Sequence, residues 1–284
     1  MEEVRKKIKE LVLCNAKIQE YEIAPHTHLI NDLGYDSIGV VQLIIEIEEI
    51  FGIEINDIYG LEQYGNLEGF IESYINFENY YMSFLGVSTD SELCNGIIFT
   101  ENEERNTPIN KQYVYPCIIS NYKNEWYASC SKKVELELKN GIKNIKEHNY
   151  NEILNSIKIK NSYGAIFIRM IWDRRELSFD DEKIDYDISY IESLKKFNVK
   201  KEGDIVGYCK ISDIYHGYGN IVIFVDGKER NKGLATYLLK RIVYKCKELG
   251  IEPIYFTRNS NKSSIRVAEK AGFHVVCQEI IYTE

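Results

Sequence analysis

A chain of 284 residues has room for two or three domains of ordinary size, and 44% apolar with 28% charged residues is the balance of a folded chain, not a disordered one. No apolar run reaches the ~18–20 residues of a membrane span, and the start Met1-Glu2-Glu3-Val4-Arg5, acidic and then amphipathic, lacks the pattern of a secretory signal. Seven scattered cysteines, odd in number and without C-x-x-C spacing, read as reduced thiols of a cytoplasmic protein and give no metal site.

Charge is spread unevenly. Residues 1–78 hold 16 Asp/Glu against 5 Lys/Arg, a net of −11, so the total of −9 leaves the remainder at about +2. An acidic module joined to a nearly neutral body excludes nucleic-acid binding through backbone contacts, which need Lys and Arg. It favours basic protein surfaces as partners.

Val4, Ile8 and Leu11 recur at helical spacing and predict a helix over 2–16. A loop through Pro25 to Gly34 follows, with Ile23, Leu29, Ile30 and Leu33 as apolar anchors. The next helix starts at or just before Ser37. Its face is Val40, Ile44, Ile47 and Phe51, at spacings of 4, 3 and 4, and Gly52 ends it. Leu67, Ile71 and Tyr74 mark a final helix after Gly65-Asn66. The module is expected to be a four-helix bundle.

Asp36 and Ser37 are both good helix N-caps, which alone would explain them. Their context is more specific. Residues 33–55 follow L-G-x-D-S-[IL]-x-x-[VL]-[EQ]-L-x-x-x-[IL]-E-x-x-F-G-[IV]-x-[IL] without a gap. This resembles the acyl carrier protein family. The resemblance implies that a phosphopantetheinyl transferase attaches 4′-phosphopantetheine to Ser37, with Asp36 helping to hold the metal and the coenzyme A donor. It also implies that Glu46, Glu48 and Glu49 form the acidic face that partner enzymes read. Gly39, inside the helix, departs from good helix chemistry at a cost of ~1 kcal/mol against Ala.

The middle of the chain is less readable. Residues 79–110, with the polar run 102–108, are expected to include a linker. Residues 113–120 and 126–131 alternate around 121–124 and predict a hairpin. One or two helices follow between Lys133 and Ile157, then a strand over 164–171. This region reads as an extra N-terminal lobe, or as a lid over an acceptor. Residues 173–202, Asp/Glu-rich and then Lys-rich, are expected to form a helical wall of an acceptor site.

Beyond Gly203, strands are predicted over 205–211 and 220–225. After Val225 and Asp226 comes Gly227 to Thr236, then a helix with Leu234, Leu238, Ile242, Cys246 and Leu249 on one face. A strand over 254–257, a short helix capped by Asn261 and closed by Gly272, and a last strand over 273–282 complete the chain. Strand, glycine turn and helix form an anion-binding arrangement, because unpaired N–H groups at a helix start point at the ligand.

The run from Val225 to Thr236 resembles V-x-P-x-x-R-x-K-G-L-A-T of the GNAT N-acyltransferase superfamily, and Asn261 to Phe273 resembles its N-x-x-[AS]-x-x-x-x-E-K-x-G-F segment. The resemblance covers roughly 160–284. It implies that Arg230, Asn231, Lys232, Gly233, Leu234, Ala235 and Thr236 cradle the pyrophosphate of coenzyme A or the phosphate of a carrier arm. It also implies that strands parted after Val225 hold the pantetheine, with the thioester near the Val225 backbone, and that Asn261 and Ser264 lie along the arm. Asn261 has an equal claim as a plain N-cap. Two departures stand out: Gly227-Lys228-Glu229 replaces the usual stretch, and Ala268 stands where many members carry a tyrosine acid. His216 is a candidate base or a surface loop residue, Asp226 a candidate or a turn former, and Tyr255 and Thr257 are further candidates.

The expected architecture is multidomain: a carrier bundle over 1–79, a linker and N-terminal lobe over 80–159, and an α/β acyltransferase with a mixed sheet flanked by helices over 160–284. Three functions are compatible with it. The first moves an acyl group from the Ser37 arm to a small-molecule amine in a biosynthetic pathway, such as that of a secondary metabolite, with other enzymes loading the carrier in trans. In the second, the C-terminal domain takes acetyl or another small acyl group from acyl-coenzyme A and loads its own arm or a carrier-bound substrate. The third is a catalytically inactive docking or sensing module.

Overall fold

The computed structural model describes residues 1–17, 22–53, 55, 61–108, 113–174 and 185–284. The chain divides into two compact units, 1–79 with a short piece from Asp173, and the remainder.

The first unit is built on three helices among the described residues: α1 (Glu2–Asn15), α2 (Ser37–Phe51) and α3 (Tyr64–Leu85), whose residues from Tyr80 on belong to the second unit. A fourth is not among them, and positions 54 and 56–60 lie outside the described residues. Ile8, Val12, Leu29, Leu33, Leu43, Ile47, Leu67 and Ile71 form the fully buried core. Leu43 joins the predicted face of α2, while Phe51 is only half-buried. Gly52 ends α2 at φ 60°, in the left-handed region where glycine is favoured. The loop ahead of α2 is pinned by Leu29 N–H to Glu62 O (2.7 Å) and by the buried Tyr35 hydroxyl donating to Val12 O (2.6 Å). Three of its expected anchors are buried; Ile30 is not, at 40% exposure. The third helix begins at Tyr64, before the predicted start, and continues to Leu85.

Among the described residues, the second unit is built on one mixed sheet of eleven strands. They are β1 (Glu92–Cys94), β2 (Ile97–Glu101), β3 (Cys117–Tyr122), β4 (Glu125–Cys130), β5 (Tyr163–Trp172), β6 (Asp187–Ile191), β7 (Lys196–Lys201), β8 (Asp204–Tyr215), β9 (Tyr218–Val225), β10 (Glu252–Arg258) and β11 (Phe273–Thr283). Their spatial order is β1-β2-β4-β3-β11-β5-β10-β9-β8-β7-β6. The β2–β4 and β9–β10 pairs are parallel and the others antiparallel. The predicted hairpin is β3–β4, closed by Lys123 and Asn124 at φ 49° and 62°, the positive pair a two-residue turn demands. Helices α4 (Glu135–Lys143) and α5 (Tyr150–Ser156) cover this side, burying Leu138, Ile142 and Ile153 against Ile97, Ile119 and Ile280. Helix α6 (Leu234–Glu248) packs on β8 and β9, and α7 (Lys262–Lys270) on β10 and β11. Leu249, expected on the buried face of α6, is instead its exposed C-cap.

Residues 92–106, within the run expected to include a linker, form strands β1 and β2 and a turn of 3-10 helix with a buried Arg105. One expectation is corrected. Within 173–202, the described part forms strands β6 and β7 at the sheet edge, not a helical wall; 175–184 lie outside the described residues. Among the described residues no helix is long and apolar enough to cross a membrane, and no cluster of His, Cys, Asp and Glu is placed to hold a metal ion.

Candidate functional site

In the first unit, the site is the start of α2. Asp36 is its N-cap: Oδ1 accepts from Gly39 N–H at 2.8 Å, while Oδ2 accepts from Lys17 Nζ at 2.9 Å. The Lys17 hydrogen bond, with help from Gly39 N–H, holds the Asp36 carboxyl below the usual carboxylate range. Ser37 is exposed beside it, its hydroxyl without a protein partner among the described residues. A Cβ at Gly39 would make a tight contact with the Tyr35 ring at 3.3 Å and an ordinary one with Asp36 Oδ1 at 3.4 Å. The acidic face is less free than expected: Glu46 accepts from Asn15 Nδ2 and Glu48 from Ile55 N–H, leaving Glu49 as the exposed member. An apolar stripe, Ile38, Val41 and Ile45, lies exposed on the same helix.

In the second unit, the site begins where β9 and β10 part. They pair from Tyr218/Glu252 to Ile221/Tyr255 and no further, although β9 continues to Val225 on β8 and β10 continues to Arg258 on β5. A wedge therefore opens between two well-held strands. Asp226 N–H bonds back to Val206 O at 2.8 Å. Peptide groups along an antiparallel strand alternate between its two edges, so those of Ile223 and Val225 face the wedge. The Val225 carbonyl is taken by Arg230 Nε at 3.2 Å, which leaves its N–H as a donor into the gap. Ile223 was not singled out from sequence; the period-two alternation of β9 is the signal that finds it.

The cradle follows directly. Asp226 caps a short 3-10 turn, its Oδ1 accepting from Lys228 N–H (2.9 Å), so it shapes the turn. Asn231 and Gly233 take φ values of 62° and 82°, and Gly233 opens α6 without a side-chain cap. The amides of Leu234, Ala235 and Thr236 have no protein acceptor among the described residues, and a Cβ at Gly233 would meet open space. This geometry suits a phosphate-bearing ligand. Glu229 is buried beneath the turn and accepts from Lys232 Nζ (2.8 Å), Tyr186 Oη (2.5 Å) and Lys201 Nζ (3.4 Å). Those bonds, Lys232's first, hold its carboxyl down at about 2.

The remaining predicted residues are dispersed. His216 is exposed in the β8–β9 turn, φ 46°, its ring edge-on to Tyr215. The whole of β9, roughly 25 Å at ~3.3 Å per residue, separates it from Asp226, so the three catalytic candidates do not converge. Tyr255 is buried under α7, with its hydroxyl 2.7 Å from Ser264 Oγ, and burial pushes its phenol up. Asn261 caps α7 through Ser264 N–H at 3.3 Å. Ala268 is fully buried on the same helix.

A cavity of about 400 Å³ lies on the sheet face opposite Tyr255, reached by Phe256 of β10 and Asn220 of β9, next to the last paired residues. Arg105 and Arg169 also line it. None of these four was found from sequence: successive members are 36 to 64 residues apart in the chain, and they share no motif.

The comparisons divide along the same line. The family "Phosphopantetheine attachment site" matches residues 6–72, and "Acetyltransferase (GNAT) family" matches residues 165–273. The acyl carrier protein of Lactobacillus acidophilus is 41% identical over 56 residues, 20% of this chain and 70% of that protein. A GNAT-family acetyltransferase structure from Colwellia psychrerythraea is 14% identical with a TM-score of 0.35, over 42% of this chain and 56% of that one. A second, from Novosphingobium aromaticivorans, is 18% identical with a TM-score of 0.35, over 42% and 64%. The chain thus spans less than two thirds of either acetyltransferase. It belongs to the acyl carrier protein family through its N-terminal unit and carries a GNAT-family acetyltransferase domain in its C-terminal part.

Proposed function

We propose that this chain is an acyltransferase that moves an acyl group from a phosphopantetheine thioester on Ser37 to a small-molecule amine. The observation that carries the reading is the wedge between β9 and β10, which opens beside the anion cradle at Gly233. An extended pantetheine fits such a wedge as an added strand, taking the peptide groups of Ile223 and the N–H of Val225. The neutral amine attacks the thioester carbonyl, a C–N bond forms, and the C–S bond breaks. The carbonyl oxygen, negative in the tetrahedral intermediate, is met by a preorganised backbone N–H. The amine loses a proton and the departing thiolate gains one, leaving an amide and the free arm.

Ala268 has no proton to give. Ser264 and Ala268 are four residues apart on α7 and so share its face; the Tyr255 phenol reaches that face from the strand below. Burial raises the Tyr255 pKa, so the phenol is a weak acid whose proton is nonetheless present to donate a hydrogen bond to the departing thiolate. Tyr255 therefore takes the acid role from β10. Residues 1–79 are the carrier, 160–284 the transferase, and 80–159 supply the strands and helices that widen the sheet.

A second reading is favoured by the cradle itself, which suits the pyrophosphate of acyl-coenzyme A: the domain then loads its own arm. Intact-protein mass spectrometry of the holo chain separates the two. Loss of a pre-loaded acyl group on adding amine, abolished by Ser37→Ala, supports carrier donation. Amine acylation from acyl-coenzyme A that persists in Ser37→Ala overturns it. Gain of one acetyl group on the arm from acetyl-coenzyme A supports self-loading.

A further inference from the structure

Arg105 is 3% exposed, and among the described residues no carboxylate lies within ion-pair distance of it. Its Nε donates to Ser129 Oγ at 3.1 Å and its Nη2 to Phe84 O, both neutral acceptors, and the guanidinium lies over the Phe84 ring at 4.4 Å. The neighbouring Arg169 is different: both of its bonds, 3.0 Å each, go to the Glu279 carboxylate. Glu279 is thus committed to Arg169, and Glu104, next to Arg105 in the chain, is exposed and accepts from Tyr215 Oη at 2.6 Å. A buried charge without a paired counter-charge is costly. Two bonds also leave most of the five guanidinium donors unused, and Arg105 turns to the cavity that opens beside the β9–β10 wedge.

The cavity walls say what accompanies the anion. Tyr80, Phe84, Tyr115, Tyr215 and Phe256 surround the guanidinium floor, and Glu104 and Asp213 stand at the lining. At about 400 Å³ the space is of small-molecule size. Aromatic walls suit a flat or apolar body, the Glu104 carboxylate suits an ammonium, and the buried cation suits a carboxylate.

We propose that this cavity binds the amine acceptor, and that the acceptor is an amino acid with an apolar or aromatic side chain whose carboxylate pairs with Arg105. The assignment rests on the acyltransferase reading of this unit and deepens it. The product is then an N-acyl amino acid, in which the carboxylate persists as the handle on Arg105.

The test uses the full-length holo chain and three probes: L-phenylalanine, phenethylamine, which lacks the carboxylate, and 3-phenylpropionate, which lacks the amine. Binding is read by calorimetry and acylation by mass spectrometry with a pre-loaded arm. L-Phenylalanine and 3-phenylpropionate bind at least about tenfold tighter than phenethylamine, as expected of a charge-assisted bidentate contact. Arg105→Met removes that preference, and Arg105→Lys keeps part of it. If the Arg105 variants do not fold, the three-probe ranking on the native chain decides alone. Equal binding of phenethylamine and L-phenylalanine overturns the carboxylate site while leaving the acyltransferase reading intact. Carboxylate-selective binding without acylation of any amine overturns that reading and leaves an anion site. Selective binding of 3-phenylpropionate with acylation of phenethylamine but not of L-phenylalanine places the carboxylate on the acyl group, and overturns its assignment to the acceptor.

Discussion

Glu229, buried beneath the turn that leads into the cradle, has three donors: Lys232, Tyr186 and Lys201. Its carboxyl is held at about 2 against an ordinary 4.5. Between those values the unfolded chain binds a proton that the folded chain refuses, so stability rises with pH across that window. The contribution is complete above pH 4.5 and disappears as pH falls toward 2. Glu229→Gln removes it. The gap in Tm between wild type and Glu229→Gln is therefore expected to be constant above pH 4.5 and to close below it. A gap that stays constant down to pH 2 would show that the three donors do not hold Glu229 as a carboxylate.

At the scale of the element, α2 carries two faces with different duties. Leu43 is fully buried, and Leu43→Ala is expected to cost about 2–5 kcal/mol in a urea melt, as for other buried leucines. Val41 is exposed, in a stripe with Ile38 and Ile45. Val41→Asp should change stability by no more than about 0.5 kcal/mol. It should still slow attachment of phosphopantetheine at Ser37, since the modifying enzyme must reach this helix start; attachment at the wild-type rate would sink that role for the stripe. Helix α2 was legible because its apolar residues keep helical spacing and both ends carry cap residues. Strands β6 and β7 were not. They form the last hairpin of the sheet and expose alternate polar side chains, and the Asp/Glu- and Lys-rich run of 173–202 around them imitates a solvated helix. The cradle was legible because its chemistry sits in one local run. The Arg105 cavity was not, because it is assembled by pairings such as Arg169 opposite Phe256 across β5 and β10, which leave no local trace.

For the whole molecule, the proposed function makes a kinetic prediction. Under it, an arm on Ser37 would meet a transferase site on its own chain at an effective concentration of order mM, as for a short tether. An equal concentration of free carrier in trans would be needed to compete with it. The single-turnover rate of amide formation from a pre-loaded chain should therefore be independent of protein concentration from about 1 to 100 µM, far below that effective value. Over the same range, a Ser37→Ala chain should receive little from an acyl-loaded partner chain, although its transferase site is intact. The strongly acidic carrier unit adds a second reading of the same experiment: delivery between chains would depend on long-range charge and fall with added salt, whereas delivery within a chain is already past the encounter step. A rate that climbs in proportion to protein concentration and drops with salt would mean that the arm serves other chains and that the fusion does not supply the advantage of tethering.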